Sequence, residues 1–199
     1  FGGYTCFGGP GVSSSQTLAA WAPGSTPFVT PAGSAIRVEA GSRIVMQLHY
    51  NLAYLTPDEP VPPDLSETLL WTLEAGEALE KIVRILPYAH LGINLEAGEP
   101  NILENKDFDI PFSGTIIGTI PHMHMLGTSI RSELVSSEGE STCLVDIPDW
   151  DFNWQQFYAY EEEQFLHVEA GDVLHLSCAY DNSAENQPVI NGEQLAPRA

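Results

Sequence analysis

Two histidines one residue apart, each followed by a methionine, stand out in the stretch TIPHMHMLGTSIRSEL at residues 119–134. Side chains at positions i and i+2 of a β-strand point to the same face, so His122 and His124 would present two imidazoles side by side. Such a pair would suit zinc or copper, although the spacing also arises by chance on many strands and the pattern supplies no third ligand. Met123 and Met125 fall on the opposite face and are expected in the core.

A further histidine, His49, lies in RIVMQLHYN (43–51), on the less apolar face of a predicted strand. An imidazole there is free to bind something, but taken alone such a histidine is more often a surface or hydrogen-bonded residue. The remaining histidines have no partner at ligand spacing and are interpreted as structural. They are His90, His167 and His175.

The composition excludes two kinds of partner. The 199-residue chain has 7 basic and 27 acidic residues, a formal net charge of −20. Such a charge repels nucleic acid and anionic membranes, so neither is expected as a partner. No apolar stretch has the length of a membrane helix, and the N-terminal FGGYTCFGGPG lacks the features of a signal peptide. Cys6, Cys143 and Cys178 make an odd number, so either one is free or one or more pair with residues outside this chain.

The sequence pattern predicts an all-β protein. Pro and Gly recur every few residues, and the longest apolar runs alternate with period two. The length suits one large β-rich domain or two small ones. The segment 184–199 is predicted to be irregular and on the surface. The clearest strands are predicted at 43–51, 68–75, 114–120, 129–135 and 173–180.

The sequence also contains a short internal repeat. VEAGSRIVMQLHY from Val38 and VEAGDVLHLSCAY from Val168 align without a gap, and each predicts a tight turn followed by a long strand. Glu-Ala-Gly is also a favoured turn on its own, because it recurs at 74–76 and 96–98. Two such strands, far apart in the chain, suit a pair of related β-sandwich modules with a boundary near residues 85–90.

The sequence contains no motif for hydrolase, nucleotide-binding or thiol redox chemistry. It has no Gly-x-Ser-x-Gly elbow, no Gly-rich loop leading into a helix and no Cys-x-x-Cys pair. No two of its many carboxylates are singled out as a glycosidase pair. Trp150 and Trp154 suggest an aromatic cluster that would serve either packing or carbohydrate binding.

Three longer stretches, taken in order, carry a resemblance to one family. AWAPGSTPFVTPAGSAIRVEAGSRIVMQLHYN (20–51) is similar to a segment that runs from an Ala-Trp-Ala-x-Gly turn to a His-Tyr strand. PHMHMLGTSIRSEL (121–134) is similar to a His-x-His-x-Leu-Gly strand, and VEAGDVLHLSCAYDNSAENQ (168–187) to a Pro-Gly-Asp turn and Ser-Cys-x-Tyr-Asn strand. Together they resemble the copper type II, ascorbate-dependent monooxygenases, and IPDWDFNWQQFYAY (147–160) resembles a segment typical of bacterial members.

The resemblance implies two antiparallel jelly-roll β-sandwich modules, the first and last incomplete in this chain. Residues 1–87 would be the C-terminal part of the first, electron-transferring copper module, and residues 88–199 the second module, without its last strands. His49 would complete the first copper site. His122 and His124 would bind the second copper, where O2 is activated and a substrate C–H bond is hydroxylated.

The resemblance also implies residues that this sequence does not contain. The first copper would need a His-His pair upstream of Phe1. The second would need a Met shortly after YDNSAEN, in a segment that would also supply the partner of Cys178. Met125 would replace that ligand only if the strand bulged. Ile120 stands where the peptide-specific member has an Arg, so capture of a substrate carboxylate is not expected there.

We therefore expect a fragment of a larger, secreted or periplasmic enzyme whose signal peptide is not in this chain. It would be a copper- and O2-dependent monooxygenase with two coppers per complete enzyme, ascorbate or a similar reductant, and a small-molecule or side-chain substrate. The alternative is a non-catalytic secreted β-sandwich, a binding or assembly module with incomplete copper sites. The presence of the missing ligands in the native polypeptide would separate the two hypotheses.

Overall fold

The computed structural model describes residues 3–6, 9–12, 16–50, 52, 55–56, 59–190 and 192–198. These residues form β-strands, turns and extended chain, with no α-helix and one 3-10 turn at Glu162–Gln164. The predicted all-β class is confirmed, while the jelly-roll topology stays a prediction. Among the described residues, no helix has both the length and the apolar character needed to span a bilayer.

The chain divides into two compact units. The first unit comprises Phe1–Ala19 and Val29–Leu86, and the second comprises Ala20–Phe28 and Pro87–Ala199. The short segment 20–28 therefore packs with the second unit although the first unit flanks it in sequence. The assignment of residues 1–87 and 88–199 to two copper modules stays a prediction.

The first unit has little regular structure in its described part. β1 (Ser34–Ile36) and β2 (Lys81–Val83) form a short parallel pair. The strands predicted at 43–51 and 68–75 are wrong, because the described residues of both stretches form no strand; Asn51 itself lies outside the described part. An alternating sequence becomes a strand only where a neighbour accepts its backbone hydrogen bonds and covers its apolar face. Here the apolar face is open, as the 58% exposure of Ile44 shows.

The second unit is built on an antiparallel sheet with strand order β3-β10-β6-β7. Antiparallel pairs β4–β9, β5–β8 and β11–β12 complete its described strands. The strands predicted at 129–135 and 173–180 are confirmed, and the one predicted at 114–120 is present as two short pieces. The strand bounds are β3 Ile102–Asp109, β4 Gly114–Ile116, β5 Gly118–Thr119, β6 Gly127–Val135, β7 Ser141–Ile147, β8 Tyr158–Ala159, β9 Leu166–Val168, β10 Val173–Tyr180, β11 Val189–Ile190 and β12 Glu193–Gln194.

Two apolar clusters form the core of the second unit. Both take residues from the inner face of the four-stranded sheet, where β6 contributes Ile130 and Leu134 with period two. The first cluster contains Met123, Ile130, Trp150, Cys178 and Tyr180. The second contains Ile110, Leu134, Leu144 and Val168, with Val168 of β9 only 2% exposed.

The segment predicted as irregular surface at 184–199 is partly ordered and partly buried. It contains the β11–β12 hairpin and borders Asn182, which is 0% exposed. The Asn182 amide donates to the carbonyls of Leu95, Glu96 and Arg198, and its oxygen accepts from Gln187 Nε2 at 2.9 Å. A buried amide with its hydrogen bonds satisfied fixes this backbone, which composition alone does not reveal.

Candidate metal centre

His122 and His124 lie in an extended segment just before β6, rather than on a strand. The segment ends in a turn in which Gly127 N–H donates to His124 O at 3.0 Å. The alternation expected of a strand still holds up to this turn, because Met123 is 3% exposed while both histidines are exposed. The core position predicted for Met123 is confirmed. The one predicted for Met125 is wrong, since the chain turns there and leaves it 50% exposed.

The structure brings His122 and His124 side by side, as their spacing predicts. Their ring centroids are 5.2 Å apart and the ring planes meet at 77°. The Phe152 ring lies 6.4 Å from that of His124. Two exposed imidazoles on one side of a loop fit copper or zinc in donor type.

Gln155 is a hydrogen-bond partner of this pair that the sequence did not indicate. Its Oε1 lies 2.5 Å from His122 Nδ1, and its own Nε2 donates to Phe152 O at 2.6 Å. Because the Gln155 oxygen only accepts, His122 Nδ1 carries the proton. The nitrogen left for a metal is therefore Nε2 of His122.

The segment that carries Gln155 is fixed at several points. Trp150 N–H donates to Thr128 O at 2.9 Å, which ties the segment to the start of β6. Asp151 caps a local turn, since its Oδ1 accepts from Asn153 N–H at 2.8 Å. The Ser25 hydroxyl donates to the Gln155 carbonyl at 3.1 Å. The backbone of the segment that carries Gln155 is therefore held in place by hydrogen bonds.

The core beneath the loop determines which way the histidines face. Met123 packs with Cys178 and Tyr180, and burial raises the pKa of the Cys178 thiol and of the Tyr180 phenol. Both groups are therefore neutral near pH 7. Gly127 lies close to this methionine: a Cβ there would be 2.5 Å from Met123 Cε and 3.2 Å from His124 O, so a larger residue would require the methionine side chain to shift. With Met123 pointing inwards, its two neighbours must point outwards.

His49 lies in the first unit, away from any strand, and its side chain is exposed. It makes no side-chain hydrogen bond with another described residue. Among the described residues, no group of three or more His, Cys, Asp or Glu side chains is placed to hold a metal. The assignment of His49 to a first copper site stays a prediction.

The other histidines contact carboxylates. His90 lies 3.2 Å from Glu104, and His175 Nδ1 lies 2.5 Å from Asp107. His167 makes a similar 2.6 Å contact with Glu169. The structural role of these three histidines stays a prediction.

The cysteines form no disulfide within the described part of the chain. Cys178 is buried in β10, Cys143 is exposed on β7, and Cys6 is half-buried. A partner for Cys178 outside this chain stays a prediction.

Residues 102–196 match the family described as copper type II ascorbate-dependent monooxygenase, C-terminal domain. Residues 102–196 are thereby identified as a domain of this monooxygenase family. The matched range contains His122, His124 and Gln155, and it lies within the second unit. A comparison with curated proteins gives no match.

Within this monooxygenase domain, the histidine pair could be recognised from the sequence, because residues i and i+2 of an extended chain point to the same face. Gln155 could not be recognised in this way. It lies in IPDWDFNWQQFYAY, where no spacing rule singles out one amide.

Proposed function

We propose that this chain provides the substrate-side copper site of a copper- and O2-dependent monooxygenase, with His122 and His124 as metal ligands. The observation that carries the proposal is the exposed imidazole pair, with His122 Nδ1 held by Gln155, inside the range that matches the family. The match supports the family and a copper- and ascorbate-dependent chemistry. The substrate and the turnover of this chain are part of the proposal.

Copper bound at this pair would supply O2 activation for hydroxylation. One oxygen atom would enter a substrate C–H bond and the other would leave as water. The reaction would take two electrons from ascorbate or a similar reductant, together with two protons. The residues of the chain would hold the copper and orient its ligands. His122 offers Nε2 because its Nδ1–H is engaged by Gln155. Met123 anchors the loop in the core, and the exposure of both rings leaves room for O2 and substrate.

The proposal extends to the first unit through His49, as a ligand of the electron-transferring copper. It also includes a small-molecule or side-chain substrate and a secreted or periplasmic location. Ile120, just before the loop, is 37% exposed and apolar, so it offers no charge to a substrate carboxylate. The substrate group nearest Ile120 is then expected to be uncharged.

The test is incorporation of labelled oxygen. Copper-loaded protein is incubated with ascorbate, 18O2 and a panel of small molecules and short peptides, and products are analysed by mass spectrometry. We expect a product that carries a single 18O atom, and we expect His122→Ala to abolish it without changing the fold, because the substitution removes a metal ligand.

A matched control is His167→Ala. His167 is an exposed histidine of the same unit that contacts Glu169 at 2.6 Å, outside the candidate site. Its substitution should leave product formation unchanged. Wild-type turnover in His122→Ala would contradict the assignment, and an absence of copper binding by wild-type protein would favour the non-catalytic β-sandwich.

A further inference from the structure

We propose that Gln155 is a positioning residue of this site, whose amide oxygen fixes the tautomer and the ring orientation of His122 so that Nε2 is presented to the metal. The inference rests on the proposed function, because it names what orients a ligand of that site. A hydrogen-bond partner on the outer nitrogen is a common requirement of metal-binding histidines, which otherwise rotate and exchange tautomers.

The orientation of the Gln155 amide is set by its second contact. Gln155 Nε2 donates to Phe152 O at 2.6 Å, while Oε1 lies 2.5 Å from His122 Nδ1. Turning the amide over would place its oxygen against the Phe152 carbonyl, so that two acceptors would face each other. The amide therefore has one satisfied orientation, and in it the oxygen accepts the Nδ1 proton of His122.

The two histidines of the pair differ in this support. His122 is held through Gln155, whose own carbonyl accepts from the Ser25 hydroxyl at 3.1 Å. His124 makes no side-chain hydrogen bond with another described residue, and its ring lies 6.4 Å from that of Phe152. His122 is thus the pre-oriented ligand, and His124 can rotate until a metal binds. Removal of the Gln155 amide should cost the site most of its pre-orientation.

The first test needs no metal. Long-range 1H–15N correlation spectra of histidine-labelled, metal-free protein report which ring nitrogen carries the proton. We expect His122 as the Nδ1–H tautomer in wild type but not in Gln155→Leu, which removes the acceptor. Gln156→Leu is the matched control, because Gln156 is equally half-buried and makes no side-chain hydrogen bond with another described residue. An Nε2–H tautomer in wild type, or an Nδ1–H tautomer unchanged in Gln155→Leu, would overturn the proposal.

The second test uses copper alone as the probe. We expect Gln155→Leu to weaken Cu(II) binding at the pair about 10- to 100-fold, with Gln156→Leu within a few-fold of wild type. Pulsed electron paramagnetic resonance should show altered coupling to the remote imidazole nitrogen in Gln155→Leu only. Equal affinity and spectra in all variants would contradict a positioning role. If wild type binds no copper through the pair, the proposed function fails, while the metal-free spectra still decide whether Gln155 holds the ring.

Discussion

The two Val-Glu-Ala-Gly segments form the same turn and then differ. In one, Ser42 N–H donates to Glu39 O at 3.1 Å, and in the other Asp172 N–H donates to Glu169 O at 3.1 Å. The glycines at the third position have φ values of +84° and +103°, a conformation that glycine adopts without strain. Both other Glu-Ala-Gly sequences also form this turn, so three residues suffice to specify it.

The chain after each turn shows what the turn cannot specify. Asp172 is 5% exposed, and its carboxylate accepts from Glu169 N–H at 2.8 Å and from Ser137 N–H at 3.2 Å. The next eight residues, Val173–Tyr180, form β10 between β3 and β6. Ser42 is exposed, and residues 43–50, which follow it directly, form no strand. The turn is a local property, whereas the strand depends on neighbours that accept its hydrogen bonds.

The histidines of the two units differ in the same way: those of the second unit have a defined orientation, and His49 of the first unit has none. His122 and His124 face outwards because Met123 between them is buried in the core. His49 alternates with apolar residues that have no cover, so nothing in the described first unit directs its side chain. The direction of a histidine side chain is fixed where an adjacent residue is buried in a core.

The largest difference between the units should come from their methionines. Met123→Ala removes a buried side chain from the first core cluster and should lower the free energy of unfolding by about 2–5 kcal/mol. Met46→Ala, at a position 47% exposed, should cost less than about 1 kcal/mol. Urea denaturation followed by tryptophan fluorescence measures both. Equal losses would mean that the first unit has a core comparable to that of the second.

A smaller effect is expected at the residue after each turn. Asp172→Ala removes an acceptor of two backbone N–H groups in a buried setting and should destabilise the protein by about 1–3 kcal/mol. Ser42→Ala should change stability by no more than about 0.5 kcal/mol. The same denaturation experiment compares them at matched pH. If the two substitutions cost the same, Asp172 does not account for the different fates of the two segments.

The two central strands of the second unit, β6 and β10, could be predicted from the sequence, whereas the outer strands β3 and β7 were not. The central strands lie inside the sheet with partners on each side, so their period-two alternation agrees with their burial. The same alternation at residues 43–50 predicted a strand that is absent, because periodicity reports an amphipathic pattern and not a partner. Gln155 was not predicted because its contact with His122 is long-range, joining residues 33 positions apart in sequence.

The central claim, that His122 and His124 together bind copper, is tested most directly by copper content and electron paramagnetic resonance. Wild type, His49→Ala and the double variant His122→Ala/His124→Ala are each dialysed against Cu(II) and examined for nitrogen hyperfine structure. We expect the double variant to lose the copper that the pair holds, with its nitrogen couplings, and His49→Ala to retain it. Unchanged copper content and unchanged nitrogen couplings in the double variant would place the metal elsewhere and contradict the account.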